Sequence, residues 1–366
     1  MKKVLFILGT RPEAIKLQPV IRQCVDLFDI KICLTNQHPD IGNILFEFNK
    51  NIIKLELTRH EFGLSGLMGN ILILLDRENG IKEWGPDLII VHGDTTSSLC
   101  GALYSYYEQI PLCHIESGLR TNDKFSPFPE ESNRKIIDYL ATINFAPTSI
   151  NQNNLTNENI VNNVHVVGNS IIDVLKTNLD TTDISIDSRL LSWISNNDFG
   201  LITLHRRENW KSNIQSALKE ISSFCLKHKH RMVYVCNKNI ELQDLVKKTI
   251  SDNPFMYIID PLENKEFHHL ILKSNFIITD SGGIQEEASF IGKPILILRN
   301  TTERQEIINN NCGLLLEAHN IQNTLENILN KSIEFNQDKS LYGNGTTSIQ
   351  IAEILKSYID VDVIND

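Results

Sequence analysis

The chain has 366 residues, of which 41% are hydrophobic, and this length is typical of two domains rather than one core. Its formal net charge of -10 at pH 7 argues against general nucleic-acid binding, because phosphate backbones bind basic faces. No apolar run approaches the roughly 20 residues of a membrane span, and the seven cysteines suggest neither a disulfide framework nor a zinc site. We therefore expect a cytoplasmic protein that has neither nucleic acid nor a membrane as a partner.

Short apolar runs alternate with amphipathic stretches along the chain, which is the pattern of parallel sheets covered by helices. Helices are predicted between the runs, for example over 213–227 and 239–251, and polar residues interrupt the periodicity at 168–187. The sequence thus predicts an α/β fold of two doubly wound, Rossmann-like parallel-sheet domains that face each other across a cleft. The predicted strands are 4–8, 31–35, 52–57, 88–92, 112–116, 143–146, 164–167, 201–204, 232–236, 256–259, 276–279, 295–298 and 314–317.

Polar and charged residues that follow these runs are the candidates for function. Ligands of open parallel sheets bind beyond the carboxyl ends of the strands, so a charged residue at that position carries more weight than one in the middle of a helix. Six such segments occur, at 9–16, 92–96, 114–121, 127–134, 205–209 and 280–287.

The first segment, 9–16, lacks the glycine patterns of dinucleotide folds and of P-loops, so NAD binding and ATP hydrolysis lose support. Pro12 is typical of the first turn of a helix, and Arg11 and Lys16 could direct two cations towards a diphosphate. An exposed helix lysine is an equally good explanation of Lys16 when that residue is considered alone.

Three acidic residues follow in the next segments. Asp94 could be a helix N-cap, and Glu130 could be a first-turn helix acid. Glu116 is harder to explain structurally, because it ends a strand between Ile115 and Ser117, where a buried carboxylate needs a partner or a chemical task.

Two segments of the second half have features of a phosphate site. His205 follows a strand and is a reasonable phosphate partner, although a lone histidine is more often structural. The turn 280–287 leads from a strand into a helix, whose unpaired amides and dipole favour an anion.

Within that turn, Ser281 can cap the helix, and Gly282 and Gly283 let a diphosphate approach the backbone without meeting a Cβ. Glu287, one turn later, is placed to accept hydrogen bonds from two sugar hydroxyls. This arrangement indicates a nucleotide-sugar, and the alternative is a tight turn that caps an ordinary helix.

These ordered segments together resemble the non-hydrolysing UDP-N-acetylglucosamine 2-epimerase family. The resemblance implies a GT-B fold with the active site between the domains, and a homodimer. The matching stretches are GTRPEAIK (9–16), HGDTTS (92–97), HIESGLRT (114–121), PFPEESNR (127–134), HRREN (205–209), TDSGGIQEEA (279–288) and GKPILILRNTTER (292–304).

The periodicity and the resemblance together divide the chain into four parts. The N-terminal domain with the catalytic carboxylates is placed at 1–170, an interdomain linker at 171–187, and the UDP-binding domain at 188–345. The last residues, 346–366, are expected to form a C-terminal helix of the kind that crosses back to the first domain.

The resemblance also implies roles for individual residues. Glu287 would take the ribose hydroxyls, Arg304 would support the nucleotide site, and Phe267 would lie by the uracil, largely through its backbone. The implied diphosphate-binding residues are Arg11, Lys16, His205, Ser281, Gly282 and Gly283. The implied acid/base set is Asp94, Glu116 and Glu130, and His205 joins it in the catalytic group.

The implied reaction interconverts UDP-N-acetylglucosamine and UDP-N-acetylmannosamine for surface-polysaccharide precursors. UDP is eliminated to leave a 2-acetamidoglucal, and C2 is re-protonated on the other face as UDP adds back. Elimination needs a base and positive charge near the departing diphosphate, but no cofactor or metal. Two alternatives are a GT-B glycosyltransferase with a UDP-sugar donor, and a hydrolysing 2-epimerase that releases UDP and N-acetylmannosamine.

One segment departs from the family pattern. Bacterial members are commonly activated by a second UDP-N-acetylglucosamine, and Asp40 stands where the pattern has a glutamine, while 59–62 offers no clean match to an expected arginine. Because a carboxylate beside a second diphosphate is unfavourable, we expect this activation to be weak or absent, or to need a different sugar.

Overall fold

The structure is a computed structural model, and it describes residues 1–38, 41–57, 63–181, 186–195, 198–204 and 213–365. The chain divides into two compact units: Met1–Val174 together with Tyr342–Asp366, and Leu175–Leu341. None of the helices in the described ranges is long and apolar enough to cross a membrane.

The first unit is built on a parallel sheet of seven strands, in the order β3-β2-β1-β4-β5-β6-β7. Its strands are β1 Lys3–Leu8, β2 Asp29–Leu34, β3 Ile52–Lys54, β4 Leu88–His92, β5 Leu112–Ile115, β6 Ile143–Ala146 and β7 Val164–Val166. Its helices are α1 Arg11–Cys24, α2 Leu64–Arg77, α3 Asn79–Lys82, α4 Thr96–Tyr107, α5 Glu130–Leu140, α6 Ser149–Asn157 and α7 Ile171–Leu179, and the last of these continues into the second unit.

The second unit contains a parallel sheet of six strands, in the order β10-β9-β8-β11-β12-β13. Its strands are β8 Phe199–Thr203, β9 Arg231–Val235, β10 Met256–Ile259, β11 Phe276–Thr279, β12 Ile295–Ile297 and β13 Gly313–Leu315. Its helices are α8 Ser188–Ile194, α9 Asn213–His228, α10 Ile240–Ile250, α11 Asn264–Lys273, α12 Gly282–Ile291, α13 Gln305–Asn309 and α14 Ile321–Leu329.

The predicted strands and the predicted fold class are confirmed, and the reason is visible in β1. Val4, Phe6 and Leu8 lie in one buried cluster, whereas Leu5 and Ile7 lie in the cluster on the other face of the sheet. A strand that is buried on both faces has an uninterrupted apolar sequence, which is why such runs are easy to find.

The C-terminal helix α15, Thr347–Asn365, belongs to the first unit, where Ile351 and Leu355 share a buried cluster with Leu17 of α1. Its first turn is held by the buried carboxylate of Asp173, which accepts hydrogen bonds from the Ser348 amide at 2.8 Å and the Ser348 hydroxyl at 2.5 Å. An acidic side chain there satisfies free amides and opposes the positive end of the helix dipole.

The strand orders place one switch point in each sheet, where successive strands proceed in opposite directions. In the first sheet it lies between β1 and β4, and in the second between β8 and β11. Ligands of doubly wound sheets bind at the carboxyl ends of strands at this point. The switch points therefore select the loops after β1 and β4 and the turn after β11 as candidate ligand contacts.

Candidate active site

Glu116 follows β5 and lies beside the switch point of the first sheet. Its φ is +71°, a conformation that is uncommon outside glycine, and its amide and that of Ser117 both donate to the carbonyl of Phe145 at 3.1 Å. The Lys16 ammonium lies 2.9 and 3.0 Å from the two carboxylate oxygens, and His92 Nε2 lies 3.3 Å from one of them. Residues that follow or end three neighbouring strands thus converge on one buried carboxylate.

Lys16 was predicted to direct its charge towards a diphosphate, and the structure gives it a different contact. Its side chain is 8% exposed and forms the ion pair with Glu116. The ion pair fixes the position of the Glu116 carboxylate at the end of β5. A role on the diphosphate stays a prediction for both Lys16 and Arg11, which is half-buried at the start of α1.

Asp94 lies in the loop between β4 and α4. Arg134 donates to Asp94 Oδ2 from Nε at 3.1 Å and from Nη2 at 2.6 Å, and Asn133 donates to the Asp94 carbonyl at 2.8 Å. The alternative explanation of Asp94 as a helix N-cap is wrong, because Thr95 is the N-cap of α4 and accepts from the Ser98 amide. Asp94 is therefore a second cation-paired carboxylate at this end of the sheet.

Glu130 and Glu131 are the first two residues of α5, and their surroundings differ. The Glu131 carboxylate is 1% exposed and accepts from the amides of Thr121 and Asn122 at 3.0 Å each, and from Arg134 Nη1 at 2.8 Å. These contacts hold the loop before α5 and occupy three of the roughly four acceptor positions of the Glu131 carboxylate. The half-buried Glu130 remains the candidate for proton transfer.

Glu13 is a site residue that our sequence interpretation missed. It accepts from the amides of Gly9 and Thr10 at 2.9 and 2.6 Å, and from the hydroxyls of Thr95 and Ser98 at 2.6 Å each. Its carboxylate thereby joins the loop after β1 to the loop after β4. The Thr-x-x-Glu spacing at the start of α1 was the available signal, because it is the pattern of a capping box.

A buried network beneath these loops contains His114, Asp138 and Arg120. His114 Nδ1 lies 2.6 Å from Asp138 Oδ1, and its Nε2 lies 2.8 Å from the carbonyl of Gly93. Since both partners are acceptors, hydrogen bonding to both requires a proton on each ring nitrogen. Asp138 also accepts from Arg120 at 2.7 Å and from the Gly118 amide at 3.2 Å, so the network ties together the segments that carry Asp94 and Glu116.

This network predicts a pH dependence of stability. Burial acts to raise the pKa of the Asp138 carboxyl, but the charge and hydrogen bond of His114, and then those of Arg120, hold that pKa below its ordinary value. A depressed carboxyl pKa stabilises the folded state above the pKa of the unfolded chain, about 4, and this contribution is lost as the pH falls through the folded pKa. Asp138→Asn should cost about 3 kcal/mol near pH 7.

Urea unfolding of Asp138→Asn and of the wild type between about pH 7 and pH 3 tests this expectation. The difference in unfolding free energy between the two proteins should shrink as the pH falls below about 4, because wild-type Asp138 is then protonated in the unfolded chain while it is still charged in the folded protein. A difference that stays constant over this range would contradict the assignment.

In the second unit, Ser281 occupies the N-cap position of α12, directly after β11. Its amide donates to the Thr279 hydroxyl at 3.0 Å. The prediction that Ser281 caps the helix is corrected, since its side chain makes no cap hydrogen bond within the described residues. The Ser281 hydroxyl is thus not required by the helix, and its contact with a diphosphate stays a prediction.

The two glycines that begin α12 have different surroundings. A Cβ on Gly282 would lie 2.6 Å from Arg304 Nη1, whereas a Cβ on Gly283 would meet no described atom within 4 Å. Gly282 is therefore required by the packing of the protein itself. Gly283 faces open space, which is the property that a backbone approached by a diphosphate needs.

We expect alanine substitutions to separate these two requirements. Gly282→Ala should lower the unfolding free energy by about 1 to 3 kcal/mol, because Arg304 must move. Gly283→Ala should leave stability unchanged or raise it by up to about 1 kcal/mol, since alanine favours helix, yet weaken UDP binding at least about tenfold, because the methyl group occupies the place of the phosphate. Thermal melts and calorimetric UDP titrations measure both effects, and unchanged UDP affinity in Gly283→Ala would exclude a diphosphate there.

Arg304 is 7% exposed and forms part of a buried ion-pair network under α12. Its Nε and Nη2 lie 3.0 and 2.8 Å from Glu286 Oε1, and its Nη1 contacts Glu303. The guanidinium therefore holds α12 through the protein's own carboxylates, and its support of a nucleotide site stays a prediction.

Glu287 lies one turn into α12, and its Oε2 is 3.4 Å from Nε2 of the buried His268 on α11. Phe267, the preceding residue, is half-buried, and its amide already donates to the Glu263 carbonyl at 3.0 Å. A uracil contact would therefore use the ring or the carbonyl oxygen of Phe267. The sequence interpretation missed His268, since no feature of the pattern distinguished it from the adjacent His269.

Three predictions lie outside the described residues. They concern His205, Asp40 and the range 59–62.

One parallel sheet has carboxylates near its switch point, and the other has a helix that begins with two glycines. The two sheets define a GT-B-like class of α/β protein. The family model described as UDP-N-acetylglucosamine 2-epimerase matches residues 23–356. The chain belongs to the UDP-N-acetylglucosamine 2-epimerase family.

Individual relatives agree with this assignment. The UDP-N-acetylglucosamine 2-epimerase of Bacillus subtilis is 36% identical over 371 residues, covering 96% of this chain and 94% of that protein. The crystal structure of the Neisseria meningitidis UDP-GlcNAc 2-epimerase bound to UDP-GlcNAc has a TM-score of 0.86 at 34% identity, covering 96% of this chain and 99% of that one. The Methanocaldococcus jannaschii UDP-GlcNAc 2-epimerase, in complex with UDP-GlcNAc and UDP, has a TM-score of 0.83 at 31% identity, covering 98% and 100%.

Proposed function

We propose that the protein interconverts UDP-N-acetylglucosamine and UDP-N-acetylmannosamine and retains the UDP group in the product. The observation that carries this proposal is the buried Glu116 carboxylate, paired with Lys16 at the carboxyl end of β5 in a member of this family. Burying such a pair has a desolvation cost, so its place at a strand end favours a chemical role.

The proposed reaction begins with transfer of the C2 proton of the sugar to a carboxylate. The C2–H electrons form the C1=C2 bond of a 2-acetamidoglucal, the C1–O bond breaks, and UDP leaves with that electron pair. UDP then adds back to C1 while C2 receives a proton on the opposite face. Two faces need at least two proton-transfer groups, and the proposed candidates for them are Asp94, Glu116 and Glu130.

Cations beside two of these carboxylates suit this chemistry. Arg134 lies 2.6 Å from Asp94 Oδ2 and Lys16 lies 2.9 Å from Glu116 Oε1, so each ion pair holds its carboxylate in a fixed position for proton transfer. We propose that Lys16 acts mainly through Glu116. The departing diphosphate would be stabilised by the amides at the start of α12, with Ser281 and Gly283, and by Arg11 and His205.

The nucleoside part is assigned to neighbouring elements of the second unit. Glu287 would accept the ribose hydroxyls, and Phe267 would lie by the uracil, with Gly282 and Arg304 shaping the start of α12. The carboxylate of Glu287 has enough lone pairs for two hydroxyl donors.

Incubation of the pure protein with UDP-N-acetylglucosamine alone in D2O, followed by proton NMR, tests the function. We expect UDP-N-acetylmannosamine to form with deuterium at C2, and UDP to remain bonded to the sugar. A glycosyltransferase would need an acceptor for turnover, and a hydrolysing epimerase would release UDP and free N-acetylmannosamine. Release of UDP in stoichiometric amount would therefore overturn the proposal.

UDP should also raise the melting temperature of the protein. A ligand that binds only the folded state adds about 2.7 kcal/mol of stability at 100 times its dissociation constant. Melting curves over a UDP series measure this shift, and ADP provides a control that differs only in the base and its contacts. A melting temperature that does not respond to saturating UDP would contradict nucleotide binding.

We further propose that the enzyme is a cytoplasmic homodimer that supplies surface-polysaccharide precursors, as the family resemblance implies. One chain has a mass of 41.7 kDa, so light scattering should give about twice that value if the dimer forms.

A further inference from the structure

His268 lies on α11 among the residues assigned to the nucleoside and is 1% exposed. Two polar groups meet its ring: Asn178 Nδ2 lies 3.1 Å from Nδ1, and Glu287 Oε2 lies 3.4 Å from Nε2. The neighbouring His269 is half-buried, and its Nδ1 lies 2.9 Å from the Lys265 carbonyl within the same helix. Of these two adjacent histidines, His268 is therefore the one that contacts a proposed ligand-binding side chain.

The contacts determine the tautomer of His268. The Asn178 amide nitrogen can only donate, so His268 Nδ1 accepts that hydrogen bond. The ring proton of the neutral imidazole is then on Nε2, which faces the Glu287 carboxylate. Asn178 thus donates to His268, whose Nε2 lies 3.4 Å from the Glu287 carboxylate.

We propose that His268 is a positioning residue of the nucleotide site, which fixes the Glu287 carboxylate for a vicinal pair of ribose hydroxyls. One carboxylate oxygen is oriented by the imidazole, and the remaining lone pairs accept from the two hydroxyls. A side chain held in one rotamer loses less conformational entropy when the ligand binds, so affinity depends on the histidine although it does not touch the nucleotide. The inference rests on the proposed function, in which Glu287 binds the ribose.

Calorimetric titration of UDP and of 2′-deoxy-UDP into His268→Phe, His268→Gln and His269→Phe tests the role. His268→Phe should weaken UDP about tenfold, because the acceptor is no longer oriented. It should weaken the binding of 2′-deoxy-UDP by less than about threefold, since that ligand has lost one of the two hydroxyl donors. His268→Gln, whose amide nitrogen can replace Nε2–H, should stay within about threefold of the wild type for both ligands, and His269→Phe should do the same.

Each outcome has a distinct meaning, provided that circular dichroism shows the variants to be folded. If His268→Phe weakens the binding of UDP and of 2′-deoxy-UDP equally, the histidine acts through packing and the positioning role is overturned. Wild-type affinity of His268→Phe for both ligands would also overturn the positioning role. If His268→Phe does not fold, Asn178→Leu takes its place, because it removes the donor that sets the tautomer of His268. The ratio of UDP affinity to 2′-deoxy-UDP affinity is then compared between Asn178→Leu and the wild type. Equal ratios in the two proteins would overturn the inference. A wild type that binds no UDP and gives no turnover would refute the proposed function, and with it this inference.

Discussion

Glu116→Gln is expected to lose at least about 100-fold in turnover, the lower range for removal of a positioned acid/base group. Glutamine has nearly the shape of glutamate but cannot accept the C2 proton. NMR rates of epimerisation and of C2 deuterium exchange should fall together, because both depend on the same proton transfer. Exposed Glu108, changed to Gln, is the control and should keep wild-type rates.

The same substitution should also lower stability, since Lys16 and His92 would face a neutral amide in a buried place. Leaving one buried charge without its counterion costs about 3 kcal/mol or more. The double variant Lys16→Met with Glu116→Gln separates the two effects, because it should recover melting temperature without recovering turnover. Wild-type turnover in folded Glu116→Gln would remove Glu116 from the catalytic set.

The adjacent pair at the start of α5 should give opposite results. Glu130→Gln should reduce turnover by at least about 100-fold and change the melting temperature little. Glu131→Gln should instead destabilise the protein by about 2 to 4 kcal/mol, because its carboxylate binds two loop amides and Arg134.

The melting temperatures of both variants are measured first. Turnover is then measured at temperatures below the melting temperature of the less stable variant. Any loss of turnover in Glu131→Gln should be smaller than in Glu130→Gln and should diminish on cooling, as the loop before α5 refolds. A large loss of turnover in Glu131→Gln that does not diminish on cooling, together with normal turnover in Glu130→Gln, would show that Glu131 and not Glu130 is the proton-transfer group.

The fold class and the positions of the thirteen strands found in the described ranges followed from the sequence. The reason is local: a strand covered on both faces is apolar throughout, as in Lys3–Leu8, and such runs end where polar residues begin. The same rule selected Glu116, because a carboxylate directly after a buried strand is rare without a partner or a task. Candidates such as Glu116 and Ser281 were thus identified from their places at the ends of strands, whereas Phe267 and Arg304 were implied only by the family resemblance.

The partners of those residues depended on long-range contacts that no local pattern contains. Glu116 and Lys16 are 100 positions apart, and they meet because β1 and β5 both flank β4. Glu130 and Glu131 are chemically identical in the sequence and differ only in what surrounds them. The same holds for His268, whose contacts come from Asn178 and Glu287.

Sequence periodicity therefore determined the α/β architecture and which loops carry the candidate groups. The reason is that the spacing of apolar residues along the chain reflects whether one face or both faces of an element are buried. Strand order and helix packing determined which charges meet, which carboxylate is used for structure, and where the C-terminal helix docks. These are contacts between distant segments, and their energies depend on distance, burial and hydrogen-bond geometry that exist only after the chain has folded.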